Sequence, residues 1–257
     1  MARGHHLGYA ASVRGLPWLI LPTFNEAENI ALIVAAARDV LGEASPDGFR
    51  ILVVDDDSPD GTGRIADRLA AEHPGEVEVL HRSVREGLGP AYIAGFQHAL
   101  AGGAGYVFEM DSDFSHDPKD LARLLHAVRD GDADLALGSR YVAGGAVLDW
   151  GLLRRIVSRG GSMYAAVILG LTVRDLTGGF KCFRAEVLES IDLPTVRAQG
   201  YAFQVELTNR TIRRGFRVVE VPITFRDRLR GTSKMSTKIA IEAMFLVPRL
   251  RRFKSTR

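Results

Sequence analysis

Short apolar runs alternate with longer helical patterns through the first 140 residues of the chain. Five runs of four to six residues are mostly apolar and end at turn signals, as expected of strands that helices bury on both faces. They are Trp18–Leu21, Phe49–Val54, Val77–His81, Tyr106–Met110 and Leu135–Gly138. The helical patterns between them are Asn25–Leu41, Gly63–Glu72, Leu88–Ala101 and Pro118–Arg129. This alternation predicts an α/β domain with a mostly parallel central sheet flanked by helices.

The pattern changes after Arg140. A long helical pattern, Leu152–Leu169, has arginines at its start and an apolar second half. Strand patterns follow at Gly179–Arg184 and Arg217–Val221, with a helix near Phe203–Arg214 between them. No internal repeat or clear linker interrupts the chain, which predicts one catalytic domain with a C-terminal elaboration.

Charge is spread unevenly along the chain. Residues 224–257 carry ten basic and two acidic side chains, a net charge of +8, whereas all 257 residues together carry +2. A basic end on an acidic body indicates an anionic partner at one place on the molecule. We expect a flexible tail over residues 1–15, a catalytic domain over 16–235 and a basic amphipathic helical segment over 236–257.

Composition excludes several classes of protein. With 46% apolar and 25% charged residues the chain is typical of a globular protein. Its single cysteine, Cys182, excludes a disulfide framework and a thiolate metal cluster. The longest apolar run, Met163–Leu171, is far shorter than the roughly 20 residues that span a bilayer. Since the first fifteen residues also lack an apolar signal-peptide core, we expect a cytoplasmic protein.

Three of the five predicted strands run into acidic loops, at residues 22–26, 55–62 and 111–113. The carboxyl ends of parallel strands meet at one edge of a sheet, where ligands bind. Any one of these loops could simply form a tight turn, because Asp, Ser, Pro and Gly favour tight turns. Three together would place many like charges at one edge, which favours a metal-dependent site.

The Asp111-Ser112-Asp113 triplet gives this site its chemistry. Two carboxylates on alternate residues can point the same way, and oxygen ligands suit Mg²⁺ or Mn²⁺. His116 lies close by, but a histidine just before a helix is expected to face solvent. The chain has neither a Walker loop nor a dinucleotide-binding glycine motif. What remains is a nucleotide held by a metal and acidic loops, as in nucleotide-sugar enzymes.

From about Leu19 to Lys238 the chain resembles the dolichol-phosphate mannose synthase family. This is the polyprenol-monophosphomannose synthase branch of the inverting family 2 glycosyltransferases, which have a Rossmann-like GT-A fold. The triplet Asp111–Asp113 is common to many transferases, whereas the other motifs are more specific. They are Pro22–Glu26, Asp55–Thr62, Gly138–Tyr141, Arg154–Gly160, Asp175–Phe180, Gly200–Gln204, Asp227-Arg228 and Gly231–Lys234.

The resemblance implies roles for individual residues. The donor, GDP-mannose, would be bound by Pro22, Phe24, Glu26, Val53, Asp55, Asp56, Met110, Asp111, Ser112, Asp113, Arg140, Arg228 and Lys234. The metal would be held by Asp111, Asp113 and Ser115, with Asp113 as principal ligand and either the Ser115 hydroxyl or a water in place of a glutamine found in some members. The catalytic set, which would also hold the phosphates of donor and acceptor, is Asp113, Arg140, Arg154, Ser158, Arg228 and Lys234.

The resemblance implies transfer of mannose from GDP-mannose to a polyprenyl phosphate, with inversion and a divalent cation. Glucose transfer from UDP-glucose and a noncatalytic nucleotide-binding module are the alternatives. We expect peripheral contact with the cytoplasmic face of the membrane, through the basic segment or through Tyr164–Leu171. A membrane-embedded partner protein is a further possibility under this hypothesis. Nucleic-acid binding is not expected, because Phe253 stands alone among the basic residues near the end.

Overall fold

The computed structural model describes residues 15–227 and 246–251. A seven-stranded sheet, in the order β3-β2-β1-β4-β7-β5-β8, forms the centre of the domain. Its strands are β1 Pro17–Thr23, β2 Arg50–Asp55, β3 Val77–His81, β4 Tyr106–Glu109, β5 Leu135–Ser139, β7 Lys181–Arg184 and β8 Val218–Pro222. A two-stranded sheet pairs β6, Ala146–Val147, with β9, Thr224–Phe225. The helices are α1 Ile30–Ala44, α2 Thr62–Glu72, α3 Leu88–Ala101, α4 Asp120–Arg129, α5 Leu152–Leu169, α6 Ala185–Ser190 and α7 Gly200–Arg213.

All neighbours in the large sheet pair in parallel except β7, which is antiparallel to both β4 and β5. The predicted α/β fold with a mostly parallel sheet is therefore confirmed. The reversal of β7 has a topological consequence. The chain enters β7 at the edge of the sheet where the parallel strands end. The residues that precede β7 therefore lie at the same edge as the residues that follow the parallel strands.

Alternate residues of the central strand β1 build two separate cores. Leu19 and Leu21 pack with residues of α1 and α4 on one face of the sheet. Trp18 and Ile20 pack with residues of α3, α6 and α7 on the other. Successive side chains of a strand point to opposite faces, so an apolar run without alternation is what two covered faces require. Each fully buried large aliphatic side chain contributes about 1.5–3 kcal/mol to this packing.

Helix α1 begins later than the sequence predicts, at Ile30 rather than Asn25. Asn25 has a φ of 58°, in the left-handed region, which a right-handed helix does not allow. Side chains from the loop after β2 and from the first residue of α2 accept hydrogen bonds from the backbone N–H groups of residues 25, 26 and 27. Their acceptors are the Ser58 hydroxyl at 3.1 Å, the Thr62 hydroxyl at 2.9 Å and the Asp60 carboxylate at 3.0 Å. The two acidic loops are thus one bonded unit.

Part of the predicted basic C-terminal segment is described, and it packs against the domain. Residues 246–250 are helical, and Val247 and Leu250 are buried with Ala165 and Leu169 of α5. These two apolar side chains therefore face the protein core, not a membrane. The rest of the segment and the predicted N-terminal tail up to residue 14 lie outside the described residues. No helix in the described part of the chain is both long enough and apolar enough to cross a membrane.

Candidate active site

A cavity of about 320 Å³ opens at the edge of the sheet where the parallel strands end. The loops after β1, β2, β3, β4 and β5, the start of α5, the segment before β7, the start of α7 and the residues at the end of β9 form its wall. Ten residues proposed from the sequence contribute to that wall. They are Pro22, Phe24, Glu26, Asp56, Asp111, Ser112, Asp113, Ser115, Arg140 and Arg154.

Other residues of the expected site are placed elsewhere. The side chains of Val53 and Met110 are buried in the apolar core beneath the cavity. The Asp55 carboxylate binds the Ser58 hydroxyl at 2.6 Å and organises its own loop. The Ser158 hydroxyl lies 2.8 Å from that of Tyr141, and Ser158 does not line the cavity. Two further expected residues, Arg228 and Lys234, lie outside the described residues.

One end of the cavity joins an aromatic ring to a buried carboxylate. The Arg85 guanidinium lies 3.9 Å from the centre of the Phe24 ring. The Asp56 carboxylate accepts a 2.5 Å hydrogen bond from Arg82. Burial raises the pKa of Asp56, and Arg82 only partly offsets that effect. A flat face beside a hydrogen-bond acceptor suits a planar base that carries N–H groups.

The middle of the cavity holds the paired carboxylates. The buried Asp113 carboxylate accepts bonds from the backbone N–H of Ser115, at 3.0 Å, and from its hydroxyl. The Ser112 hydroxyl donates to the carbonyl of Pro22 at 3.2 Å, which ties this loop to β1. No group of three or more His, Cys, Asp or Glu side chains in the described part of the chain is arranged to hold a metal. The carboxylates of Asp111 and Asp113 with the Ser115 hydroxyl are an all-oxygen set, which fits a cation that completes its shell with water and substrate phosphates.

His116 is buried, so the expectation that it faces solvent is wrong. It is only 2% exposed and lies between the rings of Phe180 and Phe225, with centroids 5.0 and 5.1 Å away. Burial lowers the pKa of His116 to about 4, despite the nearby Asp113 carboxylate. The imidazole is therefore neutral at pH 7, and its Nδ1 has no hydrogen-bond partner among the described residues.

Arg140 is held rigidly beside the carboxylates. Its Nε and Nη2 each donate to Asp175 at 2.7 Å, and its backbone N–H donates to the same carboxylate at 2.9 Å. Nη2 also reaches the Thr177 hydroxyl at 2.9 Å. Burial lowers the pKa of Arg140, but the bonds to Asp175 outweigh it and leave the pKa above its ordinary value.

Trp150 lies close to two guanidinium groups on the same wall. The Arg154 guanidinium lies 4.1 Å from the Trp150 ring and that of Arg140 lies 5.6 Å away. Arg154 also forms a 2.9 Å ion pair with Asp227. An aromatic face attracts cations, so Trp150 helps to hold both guanidinium groups at this wall. Two guanidinium groups facing one space can bind phosphate oxygens.

Several wall residues had no role in the sequence reasoning. They are Arg85, Trp150, Thr177, Gln199, Tyr201, Gln204, Phe225 and Asp227. Thr177, Tyr201, Gln204 and Asp227 stand in motifs that carry the family resemblance, so their positions could have been inferred from it. Arg85 and Trp150 belong to no such motif, and only the fold brings them to the wall.

The mostly parallel sheet, with paired carboxylates and arginines at its carboxyl edge, defines a glycosyltransferase of the GT-A fold. A solved structure with this architecture is glucosyl-3-phosphoglycerate synthase from Mycobacterium tuberculosis, in complex with Mn²⁺, uridine diphosphate and glucosyl-3-phosphoglycerate. It matches with a TM-score of 0.67 and 19% identity, over 93% of this chain and 80% of that one. At this identity the likeness shows the fold alone.

The chain belongs to glycosyl transferase family 2, whose model matches residues 18–192. It is 50% identical to the polyprenol monophosphomannose synthase of Mycolicibacterium smegmatis, over 89% of this chain and 84% of that protein. It is 49% identical to the undecaprenyl-phosphate mannosyltransferase of Micrococcus luteus, over 90% of this chain and 91% of that protein. The family resemblance predicted from the sequence is thereby confirmed.

Proposed function

We propose that the protein transfers mannose from GDP-mannose to a polyprenyl phosphate, with inversion, giving polyprenyl-phosphate mannose and GDP. The observation that carries this proposal is the cavity wall, on which the Asp111 and Asp113 carboxylates face the same space as Arg140 and Arg154. The carboxylates suit a cation-bound diphosphate, and the arginines suit a second phosphate without a cation. The activities named for the two relatives support the same reading.

Each region of the cavity has one task in this reaction. Phe24 and Asp56 hold the base, with Glu26 beside them. Asp111 and Asp113, together with the Ser115 hydroxyl or a water, would hold Mg²⁺ or Mn²⁺. When bound, the cation neutralises the diphosphate as it leaves.

The arginines orient the acceptor. Its phosphate is already an anion, so one of its oxygens can attack the anomeric carbon without a strong base. Arg140 and Arg154 hold that phosphate against the repulsion of the donor and fix the line of attack. The rigid Asp175 clamp on Arg140 keeps one donor group in place without reorganisation. The chemistry is then mainly the positioning of two anions.

The exposed apolar face of helix α5 is evidence for contact with a membrane. Six large apolar side chains of this helix are 55–75% exposed. They are Leu152, Leu153, Ile156, Val157, Met163 and Val167. At about 100° per residue they lie within an arc of about 140°, and Arg155 and Arg159 are exposed beside them. Such a helix suits the interface of an anionic bilayer, and it also carries Arg154 into the cavity. We propose that α5 rests on the cytoplasmic face of the membrane, next to the lipid acceptor.

Transfer can be measured with labelled GDP-mannose, a polyprenyl phosphate and Mg²⁺ or Mn²⁺. We expect lipid-linked label that is lost on addition of EDTA. Asp113→Ala should abolish it, whereas Asp132→Ala, a change at a 77% exposed side chain, should leave it unchanged. Transfer from UDP-glucose but not from GDP-mannose would refute the mannose assignment, and full activity of Asp113→Ala would remove that residue from the mechanism.

Membrane contact can be tested by sedimentation with vesicles that contain an anionic phospholipid. The double change Leu152→Gln and Ile156→Gln should release the protein into the supernatant. Leu32 on α1 provides a matched control, since it is 56% exposed on a different helix. Leu32→Gln should sediment like the wild type. Equal sedimentation of all three proteins would exclude α5 as the docking helix.

A further inference from the structure

A lysine is buried beneath the cavity, between the sheet and α7. Lys181, the first residue of β7, is 0% exposed, as is Glu109 of β4. The Lys181 ammonium donates to Oε1 of Glu109 at 2.7 Å and to the amide oxygen of Gln204 on α7. Burying two charges costs several kcal/mol per ion, and such pairs often add no net stability. The contacts of the pair therefore point to a role other than stability.

The lysine fixes the orientation of the Gln204 amide. An ammonium group can only donate, so it binds the amide oxygen, while one amide N–H lies within hydrogen-bonding reach of the Glu109 carboxylate and the other remains for a further acceptor. The amide nitrogen, Nε2, lies 3.2 Å from where a Cβ on Gly179 would be. Gly179 and Gln204 both line the cavity. A flipped amide would set its N–H groups against the ammonium of Lys181, so the ion pair maintains one orientation.

The order of the strands indicates what the amide meets. Along the sheet edge, the loops proposed to bind the nucleoside follow β2 and β1, and the Asp111 and Asp113 carboxylates follow β4. Gly179 precedes β7, the next strand beyond β4. In a nucleoside-diphosphate sugar the hexose lies beyond the diphosphate. The amide of Gln204 is thus on the side of the carboxylates where the hexose must lie.

On the basis of the proposed function, we propose that Gln204 donates an amide N–H to a hydroxyl oxygen of the donor's hexose. Lys181 and Glu109 are positioning residues that keep this donor turned toward the sugar. The contact selects for the sugar and not for the nucleotide, so its loss weakens binding of GDP-mannose without weakening that of GDP.

Gln204→Glu tests the contact, because a carboxylate keeps an oxygen for Lys181 but has no N–H to donate. Calorimetry with Mn²⁺ would compare GDP with GDP-mannose. We expect GDP affinity within about twofold of the wild type and GDP-mannose affinity lowered about 5- to 10-fold, the value of one hydrogen bond. Thr208→Val is the control, since it removes a buried hydroxyl that bonds to the Gln204 carbonyl on the same helix. It should change neither affinity by more than about twofold.

A second variant tests the positioning role. Lys181→Met with Glu109→Leu removes both charges together and leaves Gln204 in place. We expect weaker binding of GDP-mannose with GDP affinity retained, because the amide is then free to turn. Equal losses for GDP and GDP-mannose in either variant, or no loss for GDP-mannose, would overturn the proposal. Failure of the proposed function would show separately, as wild-type protein that does not bind GDP-mannose, and UDP-glucose against UDP would then provide the same comparison.

Discussion

The buried ion pair between Arg140 and Asp175 predicts that removing one partner will strongly destabilise the folded protein. The Arg140 side chain is 4% exposed and that of Asp175 is 0% exposed. Asp175→Ala would remove two side-chain bonds of 2.7 Å and one backbone bond of 2.9 Å. A buried guanidinium would then have no carboxylate, while its desolvation cost would remain. We expect a large loss in the free energy of unfolding.

The expected magnitude follows from the burial of the pair. Breaking a buried ion pair by removing one partner costs about 3–5 kcal/mol. A domain has about 5–15 kcal/mol of stability in total, so the loss is a large fraction. For a chain of this size 1 kcal/mol corresponds to about 2–4 °C in Tm, so the midpoint should fall by about 6–20 °C. The double change Arg140→Met and Asp175→Leu should restore much of it, since no buried charge remains.

Urea unfolding followed by tryptophan fluorescence would measure these differences. Asp132→Ala is a matched control, because its ion pair with Arg217 is 77% and 57% exposed on the two sides and should contribute less than about 1 kcal/mol. A loss of less than about 1 kcal/mol for Asp175→Ala would refute the reasoning. So would a double variant that is less stable than Asp175→Ala alone.

Two further predictions concern the core. Gly95→Ala on α3 would place a Cβ 2.4 Å from Cγ2 of Ile20 and should cost about 1–3 kcal/mol in urea unfolding. Gly160→Ala on α5, where a Cβ meets nothing within 4 Å, should be neutral or stabilising. Equal losses of stability for the two variants would contradict the close packing at Gly95. The Cys182 thiol is buried and its burial raises its pKa, so iodoacetamide at pH 8 should label it only as the protein unfolds. Rapid labelling of the folded protein would disprove that burial.

The strands and the acidic loops could be predicted because they depend on local pattern. An apolar run such as residues 18–21 indicates a strand covered on both faces, and a carboxylate directly after it indicates the ligand edge. Two expectations were wrong for nonlocal reasons. Helix α1 does not begin at Asn25, because Ser58, Thr62 and Asp60 bind the backbone there. His116 is buried, because Phe180 and Phe225 close over it from other elements.

The part of the cavity wall that carries Arg140 and Arg154 depends on contacts between residues even farther apart in the sequence. Trp150 and Phe225 meet at a ring distance of 5.1 Å because the two-residue strands β6 and β9 pair. Strands so short leave no periodic signal in the sequence. Asp175 reaches Arg140 because β7 runs opposite to its neighbours, which brings the preceding residues to the site. Asp175 precedes its strand, so the rule that ligand-binding residues follow the parallel strands does not predict its place in the site.

The sheet edge also has a fixed length. Between the loop after β2 and Arg140 after β5 there are four strand intervals, through β1, β4 and β7. At about 4.8 Å per interval, this span is about 19 Å. The hydrogen-bonded ladder sets that distance, so movement of a single side chain cannot change it. Under the proposed function, a donor with one phosphate instead of two would be too short, so its hexose would not reach the acceptor phosphate held by Arg140.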